Sequence, residues 1–277
     1  MRIINLGLTI FLSIAAVSFS SELVAGTFDA GIPPTWTCVG TCGTSGADGV
    51  VTIAPPGTST AYGWVSTLNG VLGEVLPGIT GPGNGSGSTN GSTLTSSLFS
   101  ANAGDALQFN FNYVTSDGAT FADYAWAKLL DSSNNQVAML FTARTTEIPG
   151  GNSAPGFGMP ANSATLTPSL VSIIPGAPTW SPLGASSDTC YDVGCGYTGW
   201  ITSDYTILVA GNYMLQFGVA NWDDTAFDSG LAFDGLTVGG NPIEDNNVPE
   251  PNSLALLGLG IAGLSFSRRL KQISGSH

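Results

Sequence analysis

Two segments of the chain alternate apolar and polar residues with a period of two. They span residues 106–114 and 212–220, and their apolar positions are Leu107, Phe109, Phe111, Tyr113, Tyr213, Leu215, Phe217 and Val219. This alternation puts every apolar side chain on one face of an extended strand. Each segment therefore predicts a β-strand with one face buried against a second layer of structure.

Other strand candidates are short and are separated by Gly, Pro, Ser and Asn residues. Residues 124–130 and 137–143 predict a hairpin, and further candidates are residues 50–53, 62–66, 94–99, 166–174 and 231–238. No amphipathic helix of more than three turns is found. Many short strands joined by turns predict an all-β fold, an antiparallel β-sandwich in one domain over residues 26–247.

Two segments between the strand candidates are rich in Gly, Pro, Ser and Asn. Residues 78–93 include the run GPGNGSGSTNGS, and residues 148–164 have a similar composition. Such composition is typical of irregular chain. We expect both segments to be loops, and the first to be a flexible surface insertion.

Composition excludes several classes of protein. Hydrophobic residues make up 43% and charged residues 9%, which does not fit a charged disordered chain. The net charge of -13 repels phosphate, so we expect no nucleic-acid partner. The one histidine is His277, the last residue, so the folded part lacks the base of a Ser/His/Asp or Cys/His site.

The amino-terminal segment has the composition of an export signal. Arg2 precedes an apolar run over residues 3–19, and Leu-Val-Ala at 23–25 precedes Gly26. This order predicts a secretory signal peptide over residues 1–25 that is cleaved after Ala25 or, as the alternative, after Ser20. A permanent membrane helix is the other interpretation, although the apolar run is short for a span.

The carboxy-terminal segment has three parts. Pro249, Glu250 and Pro251 precede an apolar run over residues 253–267, and Arg268 and Arg269 follow it. A helix of that length covers about 23 Å, against about 30 Å of bilayer hydrocarbon, so we expect a single short transmembrane helix. The basic end is expected on the cytoplasmic side, with the preceding domain exported.

These three parts together resemble the PEP-CTERM protein-sorting signal, which would cover residues 248–271 and leave 272–277 as a tail. The resemblance implies a Gram-negative bacterium that makes extracellular polysaccharide. It also implies a membrane-embedded exosortase that recognises the tripeptide. The protein would cross the inner membrane, stay anchored through the helix, and reach the cell surface or matrix after processing. An ordinary membrane anchor is the alternative.

The four cysteines form two close pairs in sequence, Cys38 with Cys42 and Cys190 with Cys195. An even number of cysteines in an exported chain favours disulfides. We expect local pairing within each close pair, which gives small loops. Four thiolates could instead hold zinc, but the spacings differ from the usual two-residue knuckles.

An acidic segment precedes the last strand candidate. Asp223, Asp224 and Asp228 lie within six residues, and carboxylates are ligands that Ca²⁺ prefers. The sequence does not match an EF-hand loop. A solvated acidic turn is the alternative to a calcium site.

Degenerate strand motifs give a second resemblance. Gly26-Thr27-Phe28-Asp29 with Trp36, residues 103–118, and the closing residues 231–238 are similar to strands of galactose-binding-like and carbohydrate-binding jelly rolls. The resemblance implies a jelly-roll sandwich whose first and last strands adjoin. It also implies a structural calcium site with carboxylates from Asp29 and Asp234. A likeness at the level of the fold does not establish sugar binding.

Six tryptophans raise the question of sugar-stacking platforms, since aromatic faces suit pyranose rings. Trp180, Trp200 and Trp222 lie in segments expected to be exposed, which makes them the candidates for glycan stacking. Packing in the core or at its rim is the alternative for each ring.

These features favour an exported, non-catalytic structural or adhesive protein linked to extracellular polysaccharide. Its expected partners are an exosortase-type processing enzyme, an extracellular or envelope glycan, and the membrane before processing. A carbohydrate-binding module with a defined glycan ligand is the second hypothesis. A secreted polysaccharide hydrolase is the third and would need a pair of catalytic carboxylates.

Overall fold

A computed structural model describes residues 26–81, 87–146, 148 and 151–243. The predicted signal peptide and the carboxy-terminal sorting segment lie outside the described residues. Within the described part of the chain, no helix is long and apolar enough to cross a membrane.

Short strands dominate the described residues, together with one 3₁₀ helix at Ser181–Ser186. The strands are β1 Thr37–Val39, β2 Thr41–Ser45, β3 Tyr62–Ser66, β4 Val71–Leu72, β5 Ser88–Thr95, β6 Phe99–Ala101, β7 Ala106–Thr115, β8 Tyr124–Asp131, β9 Gln136–Arg144, β10 Asn152–Ala154, β11 Thr165–Thr167, β12 Val171–Ser172, β13 Ile174–Pro175, β14 Gly196–Tyr197, β15 Ile201–Thr206, β16 Gly211–Trp222, β17 Ser229–Val238 and β18 Asn241–Pro242.

Two antiparallel sheets contain most of these strands. The seven-stranded sheet has the order β1-β5-β16-β8-β9, with β4 on β5 and β6 on β16. The nine-stranded sheet has the order β11-β15-β7-β17-β3-β2, with β14 on β7, β13 on β14 and β18 on β17. A small third sheet pairs β10 with β12. The predicted all-β antiparallel sandwich and the β8–β9 hairpin are confirmed.

The core lies between the two large sheets and uses the faces that the alternation predicts. The apolar positions of β7 and β16 are all buried. Phe111 of β7 stacks on Phe141 of β9 at 3.7 Å between ring centroids, and Phe217 of β16 stacks on Phe233 of β17 at 3.9 Å. Each such pair adds about 1 kcal/mol to the hydrophobic burial, so aromatic contacts join the two layers.

Loops also cover the outer faces of both sheets. On the nine-stranded sheet, Leu183 of the 3₁₀ helix and Trp180, the residue before that helix, pack with Val51 against Tyr62 and Val114. A similar cluster covers the seven-stranded sheet; its buried members are Leu76, Tyr124, Trp126, Met139, Ala220 and Trp222. Both sheets are therefore partly buried on two faces, which the period-two pattern alone does not predict.

The prediction of a flexible insertion over residues 78–93 is wrong for the second half of that segment. Residues 88–93 belong to β5, which pairs with β1, β4 and β16 inside the seven-stranded sheet. Its polar side chains are buried but bonded: the Ser92 hydroxyl donates to the Ser66 carbonyl at 2.6 Å, and the Asn90 side-chain oxygen accepts from Asn221 at 2.9 Å. The buried side chains of this strand are polar and hydrogen-bonded and not apolar, so a pattern of alternating hydrophobic residues does not predict it.

Several smaller expectations also need correction. Residues 50–53 form only an isolated bridge at Val51, and the candidate over 94–99 is split between β5 and β6. The candidate over 166–174 is divided among β11, β12 and β13. The segment 26–29 is a turn and not a first strand, although Phe28 within it packs edge-on against Phe233 of the closing strand β17.

Candidate functional site

Both expected disulfides form, and they leave no free cysteine among the described residues. Cys38 lies in β1 of one sheet and Cys42 in β2 of the other, so their bond closes the point where the chain passes between the sheets. Cys190 and Cys195 close a loop in which Tyr191 N–H donates to the Ser116 carbonyl at 3.0 Å. Disulfide formation removes the thiolates that a zinc site would need.

The tryptophan candidates have different surroundings. Trp180 is 0% exposed and Trp222 is 5% exposed, so neither presents a ring face to a ligand, and the expectation that they are exposed is wrong. Their burial follows from the loop clusters that cover the outer faces of the sheets. Trp200 is partly exposed, its ring nitrogen donates to the Thr52 carbonyl at 3.1 Å, and its ring packs edge-on against Tyr62.

The acidic segment does not gather its carboxylates. Asp223 accepts from Gly87 N–H at 2.9 Å, and Asp224 accepts from Ala226 N–H at 2.9 Å. Asp228 accepts from the hydroxyls of Thr67 and Ser186. These separate partners hold the side chains apart. Among the described residues, no group of three or more His, Cys, Asp or Glu side chains is arranged to hold a metal ion.

A cleft of about 470 Å³ with a mixed polar and apolar lining lies at the nine-stranded sheet; Pro55, Phe109 and Leu236 are among its apolar residues. A register shift in β17 between Asp234 and Thr237 bends the strand there, and Gly235 supplies the left-handed backbone with φ of 68°. Hydroxyl and amide side chains of β7, β15, β17 and the loop before β3 form part of the cleft lining. They are Gln108, Asn110, Thr202, Thr237, Thr58 and Ser59.

Hydrogen bonds hold the cleft's polar side chains in place before any ligand arrives. Thr202 donates to the side-chain oxygen of Asn110 at 2.8 Å, while the Asn110 amide donates to the Pro55 carbonyl at 3.0 Å. The Gln108 amide donates to Asp204. Trp200, the tryptophan candidate whose ring is partly exposed, lies directly before β15 and two residues before Thr202.

Two carboxylates flank the cleft, and they are the pair that the jelly-roll resemblance singled out. Burial alone would raise the pKa of Asp29, but backbone N–H groups of Thr60, Gly26 and Ala61 outweigh it and lower that pKa. Asp234 is 1% exposed, and burial raises its pKa, with a further contribution from the negative charge of Asp29. The structure therefore places Asp29 and Asp234 near one another.

This pair is a poor fit to calcium. Calcium prefers six to eight oxygen ligands, whereas both oxygens of Asp29 already accept backbone N–H groups, at 2.7 to 3.1 Å. In Asp234, the oxygen Oδ1 has no hydrogen-bond partner among the described residues. The described geometry offers the ion too few open ligands.

Sequence reasoning missed a second pair of acids, Asp117 and Asp123, at 1% and 0% exposure. Asp123 accepts from Trp222 N–H at 2.8 Å and from the Ser229 hydroxyl at 2.7 Å. Oδ1 of Asp117 accepts from Gly118 N–H at 2.6 Å, and its other oxygen has no partner among the described residues. No motif marks these residues, because only the fold brings 117 and 123 into one buried space.

Burial and mutual repulsion change the acidity of this second pair. Burial raises the pKa of Asp117 to about 8, opposed by the Gly118 N–H and assisted by the charges of Asp224 and Asp228. Burial, followed by the charge of Asp117, also raises the pKa of Asp123 well above its ordinary value. A substrate cannot reach side chains this deeply buried, so the pair does not provide the accessible acids of a glycosidase.

The two basic side chains among the described residues lie on the seven-stranded sheet. Arg144 is fully buried, donates to the Ala122 carbonyl at 2.8 Å, and places its guanidinium 4.4 Å from the Trp222 ring centroid. Burial lowers the pKa of Lys128, opposed by the charge of Glu74. Neither basic residue lines the cleft.

Comparison with known proteins identifies the carboxy-terminal segment. Residues 247–269 match the family model of the PEP-CTERM protein-sorting motif. The chain carries a PEP-CTERM sorting motif. The PEP-CTERM motif implies processing by an exosortase and export to the cell envelope of a Gram-negative bacterium. The match covers the predicted Pro249, Glu250, Pro251, Arg268 and Arg269.

The chain also has distant structural likenesses to solved proteins. The K1 and K3 cleaved adhesin domains of Lys-gingipain from Porphyromonas gingivalis W83 each share 13% identity with it. They cover 76% and 77% of this chain and 94% and 95% of their own, with TM-scores of 0.35 and 0.34. No function follows from likenesses at these TM-scores.

A further likeness is to the enzymatically active domain of tailspike protein 4 from bacteriophage CBA120. Identity is 13% and the TM-score is 0.31, over 74% of this chain. The match spans only 20% of the tailspike chain. A search of curated proteins finds no match.

Proposed function

We propose that this chain is an exported, non-catalytic structural or adhesive protein of the cell surface or extracellular matrix, associated with extracellular polysaccharide. The observation that carries the proposal is the PEP-CTERM motif at residues 247–269, which directs the preceding β-sandwich to the envelope. The sandwich is disulfide-linked, as suits an oxidising compartment. Its acidic surface favours solubility and repels anionic partners.

The accessible chemistry supports a binding role over a catalytic one. The cleft offers amides and hydroxyls that are already oriented by neighbouring hydrogen bonds, which suits a neutral, hydroxyl-rich ligand. The buried carboxylates of Asp117 and Asp123 are instead sealed from solvent. This distribution favours adhesion to a glycan over its hydrolysis.

The test is the fate of the full chain in a Gram-negative host that makes extracellular polysaccharide. We expect the protein in the envelope or matrix fraction, with the segment after the Pro-Glu-Pro motif removed. Replacement of Pro249, Glu250 and Pro251 by alanine should retain the protein in the membrane with Arg268 and Arg269 intact. Retention of those arginines in the unaltered protein would show a plain anchor and refute the sorting step.

A carbohydrate-binding module with a defined ligand is the second candidate, and the partly exposed ring of Trp200, two residues before the cleft-lining Thr202, favours it. Glycan-array binding by the exported protein should then be reduced at least about tenfold in Trp200→Ala, the loss of roughly 1.4 kcal/mol. Tyr191→Ala is the control, because Tyr191 is 49% exposed and lies in the loop that Cys190 and Cys195 close, outside the lining of the cleft. Equal binding by the Trp200→Ala variant and the parent would exclude a role for the Trp200 ring.

A further inference from the structure

The start of the β-sandwich lies directly against a carboxylate at the rim of the cleft. The backbone nitrogen of Gly26 donates to Oδ2 of Asp29 at 2.8 Å. Oδ1 of Asp29 accepts from Thr60 N–H at 2.7 Å and from Ala61 N–H at 3.1 Å. The loop before β3 therefore fixes this carboxylate in position, with the Gly26 nitrogen on its open side.

A second carboxylate belongs to the same group of atoms. The Ser59 hydroxyl bonds to Asp234, and that same hydroxyl oxygen lies 2.4 Å from the position that a Cβ on residue 26 would occupy. A side chain at position 26 would displace Ser59, so glycine is needed there. We call Gly26, Asp29, Ser59 and Asp234 the amino-terminal pocket.

The amino-terminal pocket lacks a positive side chain. Among the described residues, the two basic side chains are Lys128 in β8 and Arg144 in β9, both on the other sheet. Asp204, the acid that β15 contributes to this side of the molecule, accepts from Gln108. Oδ1 of Asp234 is buried without a hydrogen-bond partner among the described residues. Burying such a group without a countercharge is unfavourable.

We propose that removal of the predicted leader after Ala25 supplies the missing cation as the α-ammonium group of Gly26. A leader peptidase adds one water across the Ala25–Gly26 bond. The Ala25 carbonyl carbon gains oxygen and leaves as a carboxylate, while the Gly26 nitrogen is protonated to –NH₃⁺. The single amide donor becomes three donors with a full positive charge. One donor keeps the bond to Asp29, and the added charge lies beside the group of atoms that Asp29, Ser59 and Asp234 form.

The proposal distinguishes between the two cleavage positions considered from the sequence. Cleavage after Ser20 would leave Gly26 in an ordinary peptide bond, with one donor and no charge in the pocket. Leader removal after Ala25 would make the folded domain more stable than its precursor. The inference rests on the leader and the pocket alone and is independent of glycan binding.

The ion pair has a defined pH dependence. An α-amino group has an ordinary pKa of about 7.7 to 8.0, and a carboxylate within hydrogen-bonding distance favours its charged form. We expect a pKa about one unit higher in the folded protein than in the unfolded chain. The stabilisation is therefore complete from about pH 7.7 down to the acid range in which Asp29 becomes protonated, and it is lost as the pH rises through the folded value of the amine.

The experiment uses the full chain, exported through its own leader in a Gram-negative host and purified in its mature form. Amino-terminal sequencing should give Gly26 as the first residue. Labelling with ¹³C- and ¹⁵N-glycine, followed by NMR titration of the Gly26 Cα shift, then measures the pKa of the unmodified α-amine in the folded protein and in concentrated urea. An amino terminus other than Gly26, or equal α-amine pKa values in the two states, would overturn the proposal.

Matched variants show which carboxylate is responsible. Asp29→Asn should lower the α-amine pKa by about one unit, back to the value in urea. Asp105→Asn is the control, because Asp105 accepts the N–H of Asn102 at 2.7 Å with the same three-residue spacing but inside the chain. That control should leave the α-amine pKa unchanged. If Asp29→Asn does not fold, the comparison of the parent in buffer and in urea decides.

Discussion

Replacing Asp117 by asparagine should make the β-sandwich more stable at neutral pH. It should also reduce the gain in unfolding free energy that the parent shows when the pH is lowered. Asp117 is 1% exposed, and burial raises its pKa to about 8. In the unfolded chain its pKa is about 3.9. Between these two values the folded protein holds a proton that the unfolded chain has released, so stability falls as the pH rises.

The size of the effect follows from the linkage relation. Each pH unit inside this interval changes the free energy of unfolding by about 1.4 kcal/mol, so acidification from pH 7 to pH 4 should add roughly 4 kcal/mol through Asp117 alone. Asp123 acts in the same direction, since its pKa is also raised. Asp29 and Asp131 act in the opposite direction, because their lowered pKa values make them stabilising only while they are ionised.

The assay is urea unfolding of the mature protein at pH 4.5, 7 and 8.5, with parent and Asp117→Asn compared at each pH. Asparagine keeps an oxygen for Gly118 N–H but has no charge. We expect the variant to be stabler than the parent by several kcal/mol at pH 7, and the difference to shrink toward pH 4.5. Asp131→Asn is the control of opposite sign, since this exposed carboxylate accepts from Ser133 and Asn135. Parallel pH dependence in parent and Asp117→Asn would refute the reasoning.

Other predictions concern packing and metal binding. Gly91→Ala should destabilise the domain by more than about 2 kcal/mol in urea unfolding, because the new Cβ would lie 2.2 Å from the Glu74 carbonyl oxygen. Gly46→Ala is the control and should be nearly neutral, because the nearest atom to its Cβ is 3.4 Å away. Phe217→Ala should cost about 3 to 5 kcal/mol, since the ring is fully buried and stacked on Phe233; a cost under 1 kcal/mol would contradict the packing. Calcium or a chelator should leave the melting temperature unchanged, whereas a calcium-dependent rise would show ligands that the described geometry lacks.

The sequence by itself determined the class of fold and the carboxy-terminal sorting motif. Alternation in β7 and β16 specifies which side chains face the core, because a strand's side chains must point to opposite faces. Local spacing was enough for both disulfides, since each pair is only a few residues apart. The carboxy-terminal motif could likewise be read without a fold, because its tripeptide, apolar run and basic end follow one another along the chain.

The tertiary structure alone decided the candidate sites. β5 is a buried strand whose polar side chains are satisfied by residues such as Ser66 and Asn221, which are distant in sequence. Trp180 and Trp222 are buried because loops fold over the outer faces of the sheets. Asp117 acts on Asp123, and Asp29 acts on Asp234, because the fold brings each pair together. The pKa shifts of these acids depend on their burial and on the charges near them. Charge and solvation at a site depend on distances through space, and periodicity along the chain carries no information about them.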